Sequence, residues 1–204
     1  MHGKLITLEG IEGSGKSTSL NTIVEILTER NIEFILTKEP GGGPLGKPLR
    51  TMLLNKSSNI SPDVELLLMM ADRKDHVDNL VVPNLENGVW VISDRYLDST
   101  YAYQGGGRQI DVNKIDKLAK LLELPVPKLT LLFDLPPSIA LDRAQRRSEL
   151  DRFESEPIDF HERIRSSYLL LSESYSNRFK VIDSSKDLVS VQNQVKDIIL
   201  DFLN

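Results

Sequence analysis

The sequence of 204 residues contains no cysteine, which excludes disulfides, thiol catalysis and cysteine-ligated metal sites. No apolar run approaches the roughly 20 residues of a membrane-spanning helix, and no signal-peptide pattern follows the first residues. Lys and Arg number 25 against 30 Asp and Glu, a balance that argues against a nucleic-acid coat. We therefore expect a cytoplasmic protein that binds neither nucleic acid nor a membrane.

Histidine is also scarce, and the three residues His2, His76 and His161 lie far apart. None has the spacing of metal ligands, so we interpret them as ordinary surface or partly buried residues. Hydrophobic residues make up 40% of the chain and charged residues 27%, which is typical of a globular protein. The length predicts one domain over 1–204 with a full hydrophobic core.

The most informative stretch is residues 10–17, GIEGSGKS, which fits the phosphate-binding pattern G-x-x-x-x-G-K-[ST]. Apolar residues at 5–8 predict a strand before it, and helically spaced apolar residues predict a helix after it. The glycines would let backbone N–H groups face a phosphate at the positive end of that helix. In such a loop Lys16 reaches the β- and γ-phosphates and the Ser17 hydroxyl binds Mg²⁺. We expect Lys16 to be exposed when the site is empty.

Strand-like runs alternate with helical patterns along the chain, which predicts a parallel sheet covered by helices on both faces. The glycine-rich segments 39–44 and 105–108 follow strands, so we expect them at the carboxyl edge of the sheet, where ligands bind. Strands are predicted at 5–9, 33–37, 89–94, 129–135 and 180–183, and helices at 17–30, 46–54, 62–87, 112–123, 136–148, 157–177 and 187–203.

A P-loop is compatible with switch GTPases, ATPases and small-molecule kinases. The letters N-K-x-D at 113–116 could serve guanine recognition, but they follow a glycine-rich stretch instead of a strand. They also begin a predicted helix whose apolar face comprises Ile115, Leu118, Leu121 and Leu122. We therefore interpret 113–116 as a solvated helix start.

The strand predicted at 89–94 ends in Asp94, which is followed by Arg95. A carboxylate in that place, facing a P-loop, can hold Mg²⁺, and the guanidinium can grip a second phosphate. The alternative for this pair is a structural ion pair at a strand end. Arg73 lies among charged residues on the helix predicted at 62–87, and this local pattern alone favours a surface position.

Arginines concentrate in one stretch, where a polar segment at 145–152 interrupts the helical patterns. An arginine-bearing lid over a phosphate site would neutralise developing charge and exclude water; the alternative is a basic solvated loop. Six of the twelve arginines fall there: Arg143, Arg146, Arg147, Arg152, Arg163 and Arg165.

With these segments in this order, the chain resembles the bacterial thymidylate kinases. The motifs E-P-G-G at 39–42 and Y-Q-G-G-G-R at 103–108 are more specific than the P-loop, and D-R-Y at 94–96 and L-D-R-F-E at 150–154 accompany them. The resemblance implies a P-loop NTPase fold, with a five-stranded parallel sheet of order 2-3-1-4-5 flanked by helices and a lid at about 143–154.

The activity that this resemblance implies is transfer of a phosphoryl group from ATP to dTMP with Mg²⁺, which yields dTDP for dTTP synthesis. It also implies a homodimer packed through helices, to which the helix at 62–87 would contribute. The rivals are another nucleoside monophosphate or deoxynucleoside kinase of this fold, and a P-loop switch module without acceptor chemistry.

The resemblance also assigns roles by position. The catalytic residues would be Lys16, Arg95, Glu12 and the lid arginine Arg147, since none of the variable P-loop residues is basic. Ser17 and Asp94 would hold the metal. ATP would contact Gly10, Ile11, Glu12, Gly13, Ser14, Gly15, Lys16, Ser17 and, through adenine, Arg143.

On the acceptor side, Arg95 would clamp the dTMP phosphate, while Arg73 and Gln104 would read the thymine edge. Met69 stands where the family usually has the phenylalanine that stacks on thymine. The remaining implied contacts of dTMP are Ser99 or Thr100 beside the base, Tyr103 under the deoxyribose and Glu39 near the sugar, with Glu12 helping to organise the metal and the acceptor phosphate.

Overall fold

A five-stranded parallel sheet forms the centre of the computed structural model, which describes residues 3–147 and 149–204 without the side chain of Arg147. The strand order is β2-β3-β1-β4-β5, so the predicted fold class and order are confirmed. The strands are β1 (Leu5–Glu9), β2 (Phe34–Lys38), β3 (Trp90–Asp94), β4 (Leu129–Asp134) and β5 (Phe179–Asp183).

The central strands are buried on both faces, which explains their continuous apolar runs. Every residue of β1 is buried, and Ile6 pairs with Ile92 on one side and Leu129 on the other. The edge strand β5 instead has exposed positions between buried ones. All five strands run in the same direction, so their carboxyl ends share one edge of the sheet.

The helices follow the predicted pattern with two differences. The helix predicted at 62–87 contains a π-helical segment at Val77–Val81, just before Pro83, whose ring would clash with the carbonyl four residues earlier in a regular helix. The helices are α1 (Lys16–Glu29), α2 (Gly46–Leu54), α3 (Pro62–His76), α4 (Val82–Glu86), α5 (Leu97–Thr100), α6 (Val112–Leu121), α7 (Pro137–Arg147), α8 (Ile158–Ser174) and α9 (Leu188–Leu203).

The second difference is the segment Tyr101–Gly107, for which no helix was predicted and which is π-helical and continues α5. Its glycines serve packing against α8. A Cβ atom on Gly106 would lie 2.0 Å from the Ser167 hydroxyl, and one on Gly107 would lie 2.6 Å from the Phe160 ring. The absence of side chains thus lets two helical segments approach closely beside the carboxyl edge of the sheet.

Two hydrophobic clusters hold the layers together. One packs α1 and α9 on the sheet through residues such as Ile23 and Ile199. The other joins α8 and the segment Tyr101–Gly107 below the P-loop, and includes Tyr103, Ile164 and Tyr168. The described residues include no helix long and apolar enough to cross a membrane.

Two local predictions are corrected or refined. His76 and His161 are fully buried, at 0% and 1% exposure, because each lies on the inward face of a long helix; His2 lies outside the described residues. The segment 113–116 does begin a helix, capped by Asp111. On its predicted apolar face Ile115 is buried, but Leu121 is 75% exposed.

Candidate active site

The P-loop connects β1 to α1 and wraps around the first turn of that helix. Gly15 caps α1 with a φ angle of 94°, and Gly10 has a φ of 134°, values that side chains other than glycine rarely adopt. A Cβ atom on Gly10 would also lie 2.5 Å from the Phe133 carbonyl oxygen. The loop therefore has the backbone shape that turns N–H groups towards a bound anion.

Lys16 curls back over its own loop and is only 7% exposed. Its Nζ donates to the carbonyl oxygens of Gly10 at 3.1 Å and Ile11 at 3.2 Å, and it lies 4.0 Å from Asp94 Oδ1. The expectation that Lys16 is exposed was wrong, because these oxygens solvate the ammonium group. Burial, together with the nearby Arg95, lowers the pKa of Lys16.

A cavity of about 700 Å³ opens in front of the P-loop at the carboxyl edge of the sheet. Two of the predicted ATP-binding residues, Gly10 and Ile11, do not line this cavity. Both are buried at the beginning of the loop, directly after β1. The predicted site residues that it brings together are Glu12, Gly13, Ser14, Gly15, Lys16, Ser17, Glu39, Met69, Arg73, Asp94, Arg95, Ser99, Thr100, Tyr103, Gln104 and Arg143.

Arg95 reaches from the end of β3 to the P-loop. Its Nη1 donates to the Gly10 carbonyl at 2.8 Å, and its Nη2 donates to Glu12 Oε1 at 2.5 Å. Tyr103 donates to the other oxygen of Glu12 at 2.5 Å. Burial alone raises the pKa of the Glu12 carboxyl, but Arg95, Lys16 and the Tyr103 hydrogen bond lower it to about 2. Glu12 is thus an ionised carboxylate that binds Arg95.

Glu9, at the end of β1, lies under this pair and is fully buried. It accepts hydrogen bonds from the Tyr96 amide at 2.8 Å, the Ser99 hydroxyl at 2.6 Å and the Tyr168 hydroxyl at 2.8 Å. Burial and the nearby Asp98 raise the pKa of Glu9 to about 7. Through these hydrogen bonds, the Glu9 carboxyl holds the Tyr96 backbone and the Ser99 side chain, which follow Arg95 in the chain.

Arg73 is 2% exposed and lines the cavity, so the local pattern that favoured a surface position misled. Its Nε donates to Glu39 Oε2 at 2.7 Å, Nη1 to the Thr100 hydroxyl at 2.7 Å and Nη2 to the Tyr96 carbonyl at 2.9 Å. Burying this charge is tolerable because a carboxylate and two further acceptors replace water.

The same face of α3 holds the segment that follows β2. Glu39 Oε1 lies 2.8 Å from His76 Nδ1, and Thr37 Oγ1 lies 2.8 Å from His76 Nε2. The Asp72 carboxylate accepts the Gly41 amide at 3.0 Å with each oxygen. Asp72, Arg73 and His76 therefore form an interior contact with the segment after β2, which also explains why His76 is buried.

Asp94 ends β3 beside Lys16, and its Oδ1 is buried without a hydrogen-bond partner among the described residues. A buried carboxylate oxygen without a hydrogen-bond partner, in a cavity that a P-loop serine also lines, fits a cation site. Mg²⁺ accepts few protein oxygens and keeps several of its waters, so Ser17 and Asp94 suffice as a minimal donor set.

The six clustered arginines do not share one role. Arg143 lines the cavity and Arg146 pairs in solvent with Asp142. Three others connect separate elements: Arg152 donates to Glu65, Arg163 to the Gly107 carbonyl and Arg165 to Asp134. The side chain of Arg147 lies outside the described part of the chain.

Sequence reasoning missed several side chains that line the cavity, among them Arg50 and Phe153. Arg50 on α2 donates to the Pro40 carbonyl at 2.7 Å, and Phe153 packs edge-on against Tyr103 with ring centroids 5.7 Å apart. No local signal marks Arg50, whose position depends on how α2 packs. Phe153 lies within L-D-R-F-E, so the motif could have drawn attention to it.

The sequence profile described as Thymidylate kinase matches residues 8–195. The chain belongs to the thymidylate kinase family. It is 46% identical to the thymidylate kinase of Carboxydothermus hydrogenoformans over 200 residues, covering 98% of both chains. It is 42% identical to that of Nitrosomonas europaea, covering 98% of this chain and 94% of that one.

A solved structure agrees with these similarities. The crystal structure of thymidylate kinase from Ehrlichia chaffeensis superposes with a TM-score of 0.79 at 31% identity, covering 98% of this chain and 99% of that one. A chain in the thymidylate kinase family is a nucleoside monophosphate kinase that phosphorylates dTMP with ATP. The resemblance to this family that the sequence motifs indicated is confirmed.

Proposed function

We propose that the cavity holds ATP and dTMP next to each other and transfers the γ-phosphoryl group of ATP to the 5′-phosphate of dTMP. The observation that carries this proposal is the reach of Arg95, whose guanidinium contacts the Gly10 carbonyl of the P-loop at 2.8 Å. A phosphate held by Arg95 therefore lies beside phosphates held by the loop, and proximity of this kind supplies a large part of phosphoryl-transfer catalysis.

On the donor side, the backbone from Gly13 to Ser17 and the α1 N-terminus bind the ATP phosphates. Lys16 leaves the carbonyls of Gly10 and Ile11 and turns its ammonium to the β- and γ-phosphates. Arg143, which lines the cavity, packs against adenine. ATP binding thus exchanges two carbonyl contacts of Lys16 for stronger charge-assisted ones.

On the acceptor side, Arg95 binds the 5′-phosphate while Tyr103 lies under the deoxyribose and Glu39 approaches the sugar. Arg73 and Gln104 face the thymine edge, with Ser99 or Thr100 beside them. Met69 supplies a thioether against the base in place of an aromatic ring. Glu12, ionised beside Arg95, orients that guanidinium towards the phosphate and helps to organise the metal.

Mg²⁺ would be held by Ser17 and Asp94, whose buried Oδ1 has no hydrogen-bond partner among the described residues. When bound, the ion neutralises charge on the phosphates during transfer. We include in the proposal that one domain, 1–204, carries the whole reaction under a lid at about 143–154, in the cytoplasm where its nucleotide substrates are found.

Arg95→Ala tests the acceptor assignment. We expect the KM for dTMP to rise by about 30- to 5000-fold, because a buried charge-assisted contact with phosphate contributes about 2–5 kcal/mol. The KM for ATP should change far less. Steady-state kinetics with each substrate varied measure both values. Arg30→Ala, an exposed arginine at the end of α1, is the control, and unchanged dTMP kinetics in Arg95→Ala would place the phosphate elsewhere.

The proposal includes a homodimer formed through α3. This helix exposes Val64 and Leu67, at 44% and 55%, on one side, and apolar side chains three residues apart form a continuous stripe. Leu67→Glu should shift the mass measured by light scattering towards the monomer, since a carboxylate would be buried in the interface. Leu170→Glu, at an equally exposed leucine of α8, should stay dimeric. An unchanged mass in Leu67→Glu would exclude α3 as the interface.

A further inference from the structure

Glu65 on α3 connects three parts of the chain although it is only 1% exposed. Its carboxylate accepts hydrogen bonds from Gln104 Nε2 at 2.9 Å and from Arg152 Nη1 at 2.7 Å. Arg108 Nε lies 3.2 and 3.1 Å from its two oxygens. No sequence pattern marks this residue, and the phosphoryl transfer described above does not use it.

The partners of Glu65 come from both sides of the cavity. Gln104 and Arg108 belong to or follow the segment Tyr101–Gly107, whereas Arg152 belongs to the proposed lid. Arg108 also pairs with Glu156 at 2.5 Å, so two carboxylates balance two guanidinium groups. Buried ion pairs contribute little net stability compared with apolar packing, so stability alone does not explain why the cluster is built this way.

The chemistry of the carboxylate fixes the orientation of Gln104. An ionised carboxylate only accepts hydrogen bonds, so the amide of Gln104 must turn its NH₂ group towards Glu65. The carbonyl oxygen Oε1 then lies on the other side of the amide, and it accepts no hydrogen bond from the described residues. Since Gln104 lines the cavity, this oxygen is free to accept a hydrogen bond from a ligand.

We propose that Glu65 is a positioning residue that sets the choice of base by holding Gln104 as a hydrogen-bond acceptor. Thymine offers an N3–H donor next to its O4 acceptor, which suits an amide oxygen beside the donating guanidinium of Arg73. Cytosine offers an N3 acceptor next to an NH₂ donor, so its N3 would face the lone pairs of Gln104 Oε1. The inference rests on the proposed role of Gln104 in reading the base.

Glu65→Gln tests this, because an amide at 65 can donate as well as accept. Gln104 can then turn over and present its NH₂ group to the base. We expect the ratio of kcat/KM for dTMP to that for dCMP to fall at least tenfold, mainly through a loss for dTMP, with the KM for ATP within about threefold of the parent. A site built for one hydrogen-bond pattern loses discrimination when that pattern is no longer imposed.

The exchange Glu65→Gln with Gln104→Glu separates positioning from a structural role. The carboxylate introduced at position 104 would present only acceptor oxygens, and the amide introduced at position 65 would donate to it. The ratio for dTMP over dCMP should therefore return to within about threefold of the parent. A weakened fold would instead lower kcat/KM for dTMP and dCMP alike, and the exchange would not restore either value. Asp63→Asn, at an exposed carboxylate on the same helix, is the control and should leave the ratio unchanged.

Thermal melting shows which variant is folded, and the ratio for dTMP over dCMP is measured only in a folded variant. If Glu65→Gln does not fold, Glu65→Asp takes its place, because it keeps the charge that both arginines need but withdraws the carboxylate from Gln104. A folded variant that keeps the parent ratio overturns the inference, as does failure of the exchange to restore it. If the parent itself does not prefer dTMP to dCMP, the proposed role of the cavity fails instead.

Discussion

Lys16→Ala should reduce turnover about a thousandfold or more while the chain remains folded. The ammonium group lies at the P-loop, where it donates to the carbonyl oxygens of Gly10 and Ile11 and lies 4.0 Å from Asp94 Oδ1. In the proposed reaction it moves to the oxygens that gain charge during transfer. Removing one preorganised donor of this kind costs roughly 10²–10³ in rate, and a full positive charge contributes more than a neutral donor.

The measurement is kcat for ADP formation at saturating ATP and dTMP, with thermal melting to show that the variant is folded. Lys16→Met is the matched variant, since it keeps most of the buried length of the side chain and loses only the charge. Both variants should lose activity alike if charge is what matters. A folded Lys16→Ala chain that turns over within threefold of the parent, a difference under about 1 kcal/mol, would contradict the mechanism.

Arg147→Ala should lower kcat by about 10³- to 10⁵-fold, the range associated with an arginine that contacts the transferring phosphoryl group. The variable P-loop residues carry no positive charge, and Glu12 among them is an ionised carboxylate with a pKa of about 2. The compensating charge must therefore come from another segment. On α7, Arg143 lines the cavity and Arg146 pairs with Asp142 in solvent. Arg147 stands where the resemblance to the family implies a lid arginine, and we propose that it supplies this charge.

The KM for dTMP should change much less than kcat in this variant, because in the proposed reaction Arg95 binds the acceptor phosphate. Arg146→Ala removes the preceding arginine of the same helix and should leave both constants near the parent values. Full kinetics with each substrate varied distinguish the two effects. If Arg147→Ala raises KM without lowering kcat, the residue binds substrate and does not assist transfer.

The structural features that could be predicted most accurately from the sequence are those that depend on short segments of the chain. The P-loop is a local pattern, so its strand, glycines and helix appeared as expected. The sheet order came from the resemblance and agrees with the structure. The helical conformation of 101–107 was not predicted, because glycine gives no helical signal, and only the approach of α8 shows that Gly106 and Gly107 serve helix packing.

Burial of charged residues was the least predictable property. Arg73 and His76 lie in a charged stretch that resembles a solvated helix face, and their partner Glu39 is more than thirty positions away. Lys16 was expected to be exposed because its stabilising carbonyls are backbone atoms, which carry no sequence signal. Arg50 reaches the cavity only through the position of α2 against the segment after β2.

The contacts between α3 and the segment after β2 have an evolutionary consequence. Asp72 accepts the Gly41 amide, Asp75 accepts the Leu45 amide at 2.8 Å, and His76 binds Glu39. These two stretches, about thirty positions apart, therefore form one unit under selection. The amides of Gly41 and Leu45 are present whatever the side chain, so they select for the carboxylates at 72 and 75 alone. Glu39 and His76 contact each other through side chains, so these two positions should vary together among relatives while the exposed side of α3 drifts independently.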